Sequence, residues 1–157
     1  MSEFPAPPPP QSGPPYAGGG PSGPRAGFGQ RLGAALVDGI LLAVIGFVIQ
    51  LALGSSGGSA IGIALGVAYF GYFEGSASGQ TVGKRMIGIR VIDFGGGGSI
   101  GHGRAVIRYF GRWVSAVACL LGYFWMLWDK ERQCWHDKFA NDVVVPVESY
   151  PVASWPN

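Results

Sequence analysis

The chain has 157 residues, which is enough for one domain with a tail. Charged residues make up 13 % of it and apolar residues 48 %, which is charge-poor for a soluble domain. Asp38 and Glu74 are the only charged residues between Leu32 and Gly83, whereas residues 84–112 carry six basic residues and one acid. Basic residues that flank apolar segments favour membrane topology over a nucleic-acid surface, so no nucleic-acid partner is expected.

Residues 1–27 form a segment rich in proline and glycine that holds nine of the twelve prolines. It lacks a basic stretch followed by an apolar core, so it does not have the pattern of a signal peptide. Its composition predicts a disordered, partly polyproline tail, acting as a solvated tether rather than as a ligand for an aromatic groove. A second flexible tail is predicted over residues 149–157, which leaves a domain at residues 28–148.

Two apolar segments follow the tail. Leu32 to Leu53 would span roughly 33 Å as a helix, enough for a hydrocarbon core of about 30 Å. A short uncharged linker then predicts an antiparallel second helix, which gives helices at about residues 31–53 and 58–75. Gly62 and Gly66 form a small-xxx-small pair on the second helix, which favours close helix packing.

The third apolar segment, residues 113–128, extends a predicted helix over about residues 102–128. It either crosses the membrane once or is re-entrant with a break near Gly122. Arg104, Arg108 and Arg112 precede it at a spacing of four residues and therefore share one helical face. The favoured interpretation is a basic amphipathic helix at the interface, with these arginines towards anionic lipid head groups. The alternative turns them inward, towards Asp38 and Glu74.

Orientation and strands follow from charge and β-branched residues. Arg25 and Arg31 precede the first helix and the loop after the second helix is basic, which predicts a cytoplasmic N-terminus. Residues 86–94 and 142–147 are short β-branched segments. If they pair, both lie on the same side of the membrane, which places the C-terminal tail in the cytoplasm. The predicted fold is therefore an all-α integral membrane protein with two to three transmembrane or re-entrant helices, the interfacial helix and a possible two-stranded cytoplasmic ribbon.

Asp38 is the main candidate functional residue because a carboxylate inside a membrane helix is costly. Arg31 precedes it by two helical turns and faces the same way, about 10 Å away along the axis. Either Arg31 or a basic residue from another segment could pair with it. A proton or cation site and a structural anchor for the helix are both open interpretations. Glu74 is expected to be a solvated helix end.

The segment "WDKERQCWHDKFANDVVV" mixes acids, bases, Cys134 and His136. A structural metal site needs four ligands at recurring spacings, so neither metal binding nor catalysis is expected, and a juxtamembrane polar network is favoured. Cys119 and Cys134 are expected to be free thiols. The glycines after Gly95 lack the Lys-Ser/Thr pair of a phosphate loop, so no nucleotide or other cofactor is expected.

Three stretches together resemble the RDD family of bacterial membrane proteins, named for one arginine and two aspartates. They are "AGFGQRLGAALVDGILL", "GQTVGKRMIGIRVID" and "DKERQCWHDKFANDVVV". The resemblance implies that Arg31 and Asp38 are the family's arginine and first aspartate. The second matches Asp137, with Asp129 as the other candidate. A proline-rich tail ahead of such a domain looks actinobacterial. The family's role is largely undefined, and transport has been proposed for it.

Two functions are consistent with these features, both without enzymatic activity. The first is an accessory or assembly subunit of a larger membrane complex, such as a respiratory or transport complex. The second is an oligomeric transporter for protons, cations or small solutes that uses Asp38. The expected location is the bacterial plasma membrane, with several passes. Membrane lipids and other integral membrane proteins, or further copies of the chain, are the expected partners.

Overall fold

The computed structural model describes residues 23–118 and 120–150, without the side chains of residues 55–57. The described part is mostly helical, as predicted. In chain order its elements are α1 (Phe28–Gly75), α2 (Val82–Ile87), β1 (Ile89–Asp93), α3 (Gly101–Val117), α4 (Leu121–Phe124), a 3₁₀ turn (Trp125–Leu127), α5 (Trp135–Ala140) and β2 (Asp142–Pro146). Most of the two predicted tails, residues 1–22 and 151–157, lies outside the described residues.

α1 is a helical hairpin rather than one straight rod. Gly54 interrupts it with φ 75° and ψ 173°, a backbone conformation that glycine adopts without steric cost. Asp38 and Tyr69 would lie about 46 Å apart in a straight helix, yet their side chains are hydrogen-bonded at 2.8 Å. A Cβ on Gly58 would also lie 3.0 Å from Cα of Gln50. The two halves therefore run antiparallel, as the sequence predicts.

The first half of α1, Phe28–Gly54, is the one described helix that is long and apolar enough on its own to cross a membrane. Ala34 and Asp38 are its only buried residues. Ile40, Phe47 and Leu51 are each more than 60 % exposed. An apolar helix with so little burial suits contact with lipid or with another membrane helix.

The third apolar segment is broken. α3 ends at Val117, and the helical residues that follow it, 121–127, are inclined to it by 111°. The direction changes before Gly122, at Leu120, where φ is 64°. Gly122 itself lies against α3, because a Cβ there would be 2.5 Å from Oγ of Ser115. The break near Gly122 therefore occurs about two residues earlier, and a continuous helix over residues 102–128 is not formed.

β1 and β2 form the antiparallel ribbon that the sequence predicts, in the register Ile89 to Pro146 through Asp93 to Asp142. One face packs Ile89, Val91 and Val144 against Ala26, Ala34, Ile100 and Ala105, and the other packs Ile92, Val143 and Val145 with Tyr150. Ala26 is fully buried and donates its backbone N–H to the Val144 carbonyl at 2.9 Å. The folded part thus begins before the predicted boundary at residue 28 and includes Tyr150.

Candidate functional site

Seven charged residues from five elements meet in one buried group, which we call the charged cluster: Arg31, Glu74, Lys84, Arg108, Arg112, Asp137 and Asp142. Arg108 lies at its centre and is 2 % exposed. Its guanidinium pairs with Asp137 at 2.5 Å, with Glu74 at 3.2 Å and with Asp142. One arginine of α3 therefore connects α1, α5 and β2.

Arg31 is joined to the cluster through Asp137. Nη1 of Arg31 lies 2.5 Å from Oδ2 of Asp137, and Nη2 donates to the Arg132 carbonyl at 2.7 Å. The same carboxylate oxygen accepts the backbone N–H of Cys134 at 2.9 Å, where α5 begins. The start of α1 is thereby fixed to the start of α5, which lies more than 100 residues later in the chain.

Glu74 is the second anionic centre of the cluster. Its carboxylate is fully buried, and Lys84 and Arg112 both donate to its Oε1. The prediction of a solvated helix end is therefore wrong. Residues 84–112 carry a large excess of basic groups, and burying them against α1 requires an acid there, because a buried charge needs a partner.

Asp38 occupies a separate site beside the cluster. It is 2 % exposed and accepts hydrogen bonds from the Tyr69 hydroxyl at 2.8 Å, Thr81 Oγ1 at 2.6 Å and the Gly83 backbone N–H at 2.7 Å. All three donors are neutral. Arg31 is paired with Asp137, so of the two alternatives for Asp38 the direct pair with Arg31 is not formed. Asp38 is held by the second half of α1 and by the start of α2.

The segment before α2 explains how the Asp38 site forms. Thr81 caps α2 by accepting the Lys84 backbone N–H, while its own hydroxyl hydrogen goes to Asp38. Gly83 lets the two chains approach, because a Cβ there would be only 2.2 Å from the Ala34 carbonyl oxygen. Asp38 therefore receives a side-chain donor and a backbone donor from one turn of the chain.

The predicted interfacial face of α3 needs correction. Arg108 and Arg112 point inward to the charged cluster, where both pair with Glu74. The alternative interpretation, in which the arginines turn inward towards Glu74, therefore holds for these two. Arg104 pairs with Asp93 at 2.6 Å, is about one-third exposed, and donates to the Ala140 carbonyl. Because each arginine has an acidic partner within the fold, the three do not form one shared basic face on the outside of α3.

The remaining predicted site residues, Asp129, Asp137, Gly62 and Gly66, differ in whether they lie at a packed contact or in the charged cluster. Asp129 pairs with the half-exposed Lys138 and accepts the backbone N–H of Gln133 at 3.1 Å, outside the charged cluster. Asp137 is thus the aspartate that joins Arg31. Gly66 lies under Tyr109 of α3, where a Cβ would be 2.4 Å from the hydroxyl oxygen, whereas Gly62 has open space around its Cβ position.

The two aspartates that share Arg108 differ in pKa. Burial alone would raise the pKa of Asp137, but Arg108 and Arg31 hold it well below its usual range. Burial raises the pKa of Asp142 to about 7, with Arg108 opposing that rise and Asp137 adding to it. Asp137 therefore carries the fixed negative charge, and Asp142 is the carboxyl that takes up a proton as pH falls.

Cys134, His136 and Asp137 offer ligand atoms within 4.8 Å of one another. Arg31 and Arg108 already occupy the Asp137 carboxylate, and their positive charges oppose a metal cation at this point. Burial lowers the pKa of His136 well below its ordinary value, so the imidazole is neutral. Cys134 is a free thiol, whereas Cys119 lies outside the described residues.

A cavity of about 510 Å³ opens between the first half of α1 and the segment formed by α3 and α4. Its polar lining includes Arg31, Lys84, Arg108, Arg112, Asp38 and His136. The rest is mostly apolar, with Leu32, Leu42, Phe70, Leu120 and Phe124 among its residues. A volume of this size is typical of a ligand site.

The sequence pattern of the RDD family matches residues 25–141, about three-quarters of the chain. The chain belongs to the RDD family. Within the matched range, Arg31 and Asp137 form an ion pair while Asp38 lies in its own site. The family is membrane-associated, in agreement with the apolar helix Phe28–Gly54.

Curated relatives are mycobacterial. The proline-rich antigen of Mycobacterium leprae is 37 % identical over 78 residues, which is 50 % of this chain and 31 % of that protein. A proline-rich antigen homolog of Mycobacterium tuberculosis strain CDC 1551 is 33 % identical over 78 residues, 50 % of this chain and 32 % of the relative. The alignments thus span about a third of the length of these relatives. No solved structure matches the chain.

Sequence reasoning gave no functional role to Lys84, Asp142, Thr81 or Tyr69. A usable signal was the excess of basic residues after the second helix, because buried basic groups require acids from elsewhere in the fold. The hydroxyl groups of Thr81 and Tyr69 carried no comparable signal, since only the folding of the α1 hairpin brings Tyr69 to Asp38.

Proposed function

We propose that this chain is a non-enzymatic, multi-pass protein of the bacterial plasma membrane that acts as an accessory or assembly subunit of a larger integral complex. The proposal rests on a contrast between the N-terminal end of α1 and the apolar segment that follows it. The charged groups around its N-terminal end are engaged within the chain, whereas its apolar residues from Ile40 to Leu51 are largely exposed. Such a helix offers packing surface without presenting charge.

The proposed topology has the N-terminus and the β1–β2 ribbon in the cytoplasm. In this topology the α1 hairpin enters and leaves the membrane and the third segment is re-entrant, which the bend of 111° supports. Pairing of β1 with β2 supports this arrangement, because it requires the chain before α3 and the chain after the 3₁₀ turn to lie on the same side.

The test is purification of the chain from its native membrane in mild detergent, followed by mass analysis. A larger complex at fixed stoichiometry is expected. Phe47→Ala, at a position 63 % exposed on α1, should lower recovery of that complex, whereas Phe139→Ala, 56 % exposed on α5, is the matched control. A pure homo-oligomer, or equal recovery with both variants, would contradict the proposal.

A second candidate function is transport of protons or cations by an oligomer, and one observation favours it. Asp38 lines the cavity and its three donors are neutral, so these contacts leave its negative charge uncompensated and a transported cation could compensate it. Ion flux should then appear in vesicles that contain the pure chain. Asp38→Asn should abolish it, and Asp129→Asn should leave it unchanged; equal flux in all three proteins would exclude this role for Asp38.

A further inference from the structure

The cavity beside the charged cluster has a layered arrangement of charge. Four basic side chains line it, whereas Glu74, Asp137 and Asp142 lie behind them and are fully buried. The basic side chains are also the more exposed ones, with exposed fractions of 17 % for Arg112, 11 % for Arg31 and 8 % for Lys84. Asp38 is the one acidic group in the lining, and three donors from the protein already satisfy it.

Lys84 and Arg112 have hydrogen-bond donors to spare at this cavity. Both donate to the same atom, Oε1 of Glu74. An ammonium group has three N–H donors and a guanidinium group five, and Glu74 is the side chain that accepts from these two among the described residues. Burial, together with the nearby Arg112 and Arg108, lowers the pKa of Lys84 to about 8 against the opposing effect of Glu74. Glu74 compensates only part of this positive charge, so the unused donors of Lys84 and Arg112 can bind a second anion beside it.

The remaining wall of the cavity suits hydrocarbon. Phe70 lies under the Arg112 guanidinium, 4.2 Å from the ring centroid, and continues into the apolar lining. Leu32 and Leu120 in that lining are 46 % and 49 % exposed. The cavity opens through apolar residues beside a helix long enough to span a membrane, so acyl chains of the lipid can enter it. A small soluble anion would leave this apolar part of the cavity unfilled.

We propose that the cavity binds one anionic phospholipid, with its phosphate between Lys84 and Arg112 and an acyl chain along Leu32, Phe70 and Leu120. Basic pockets between membrane helices recognise such head groups. The ligand is a structural lipid of the fold, and its binding is independent of whether the chain joins a larger complex or carries ions.

The test uses the purified full chain in detergent, with phosphatidylglycerol, phosphatidylcholine or inorganic phosphate added. Native mass spectrometry and thermal unfolding should show that phosphatidylglycerol binds about tenfold more tightly than phosphatidylcholine. Inorganic phosphate at the same concentration should have little effect. Equal binding of the two lipids would overturn the proposal. Full stabilisation by phosphate alone would also overturn it, because the site would then be one for a free anion.

Two pairs of variants separate the head-group contact from the apolar contact. Arg112→Gln should remove the preference for phosphatidylglycerol, whereas Arg104→Gln, on the same helix but outside the lining, should retain it. Ala116→Leu narrows the cavity while it keeps every charged group of the cluster, and it should weaken lipid binding. Ala68→Leu, at another exposed alanine, is its control. Unchanged lipid binding in Ala116→Leu would show that the lipid lies elsewhere, even if Arg112→Gln fails to fold.

Discussion

At the scale of single residues, the candidate aspartates Asp137 and Asp38 have two different tasks. Asp137 compensates Arg31 and Arg108, which come from distant parts of the chain. Asp38 instead collects one phenol, one hydroxyl and one backbone N–H. The first arrangement neutralises buried charge, and the second connects polar groups of α1 and α2 inside an apolar region. Sequence position alone does not separate these tasks, because both are carboxylates near basic residues.

Replacement of the two aspartates that share Arg108 should have unequal effects. Asp137→Asn leaves Arg31 without its carboxylate and should destabilise the fold by roughly 3–5 kcal/mol, the cost of breaking a buried pair. Asp142→Asn should cost far less at neutral pH, because Glu74 and Asp137 still compensate Arg108. Thermal unfolding in detergent, followed by tryptophan fluorescence, measures both. Equal losses would contradict this assignment of charge.

The pKa of Asp142 predicts a pH dependence. The folded chain keeps its proton up to about pH 7, whereas the unfolded chain releases it near the ordinary value of 3.8. Between these values folding binds a proton, so this group's contribution to stability falls as pH rises and is lost above about 7. His136, neutral in the fold, gives the opposite slope below about 6.5.

As pH rises from 5 to 8, wild type should lose stability relative to Asp142→Asn by an amount on the order of 2 kcal/mol. Unfolding temperatures measured across this range test it. Parallel curves for the two proteins would show that Asp142 does not titrate there.

At the scale of elements, close backbone approach decides where α2 lies. Gly83 rests against the Ala34 carbonyl and donates its own N–H to Asp38, so the same residue provides the space and the hydrogen bond. α2 has only six residues and could not hold this position by its helical hydrogen bonds alone. The contact with α1 therefore fixes α2, and Lys84 with it.

Gly83→Ala should displace α2 and weaken the hydrogen bonds of Asp38, because the clash is with backbone that cannot rotate away. A loss of about 2–4 kcal/mol is expected, the range for a severe steric conflict. Gly46→Ala is the matched control, since nothing lies within 4 Å of its Cβ position in the first half of α1. The prediction fails if both alanine variants unfold at the same temperature.

At the scale of the whole molecule, the C-terminal segment of the domain packs against its N-terminal segment. β2 pairs with β1 and also accepts the Ala26 backbone N–H, while α5 brings Asp137 to Arg31. Arg25 adds a peripheral link to Glu131 at 2.6 Å. The C-terminal segment thus supplies two acids of the charged cluster and one strand of the ribbon.

A chain that ends at Asp129 should not accumulate as a folded protein, because Arg31 would lose its carboxylate and Arg108 two of its three. Arg25→Gln breaks the link to Glu131 and a hydrogen bond to the Tyr150 hydroxyl, both outside the charged cluster, and should leave the chain folded. Size-exclusion chromatography and limited proteolysis in detergent compare them. A monodisperse, protease-resistant truncated chain would show that the C-terminal segment is dispensable.

The sequence by itself determined the features that depend on local composition. The apolar helix, its antiparallel return and a possible β ribbon follow from hydropathy, a short linker and β-branched segments. The stretches that resemble the family name Arg31, Asp38 and either Asp137 or Asp129 as candidates. The tertiary structure alone decided which charges pair. Glu74 is one of the three acids of the charged cluster, and Arg108 points inward to it. Asp38 is hydrogen-bonded to Tyr69, Thr81 and Gly83, whereas Arg31 pairs with Asp137. Ion pairing between residues many positions apart depends on packing, because each buried charge takes the partner that the fold brings within reach.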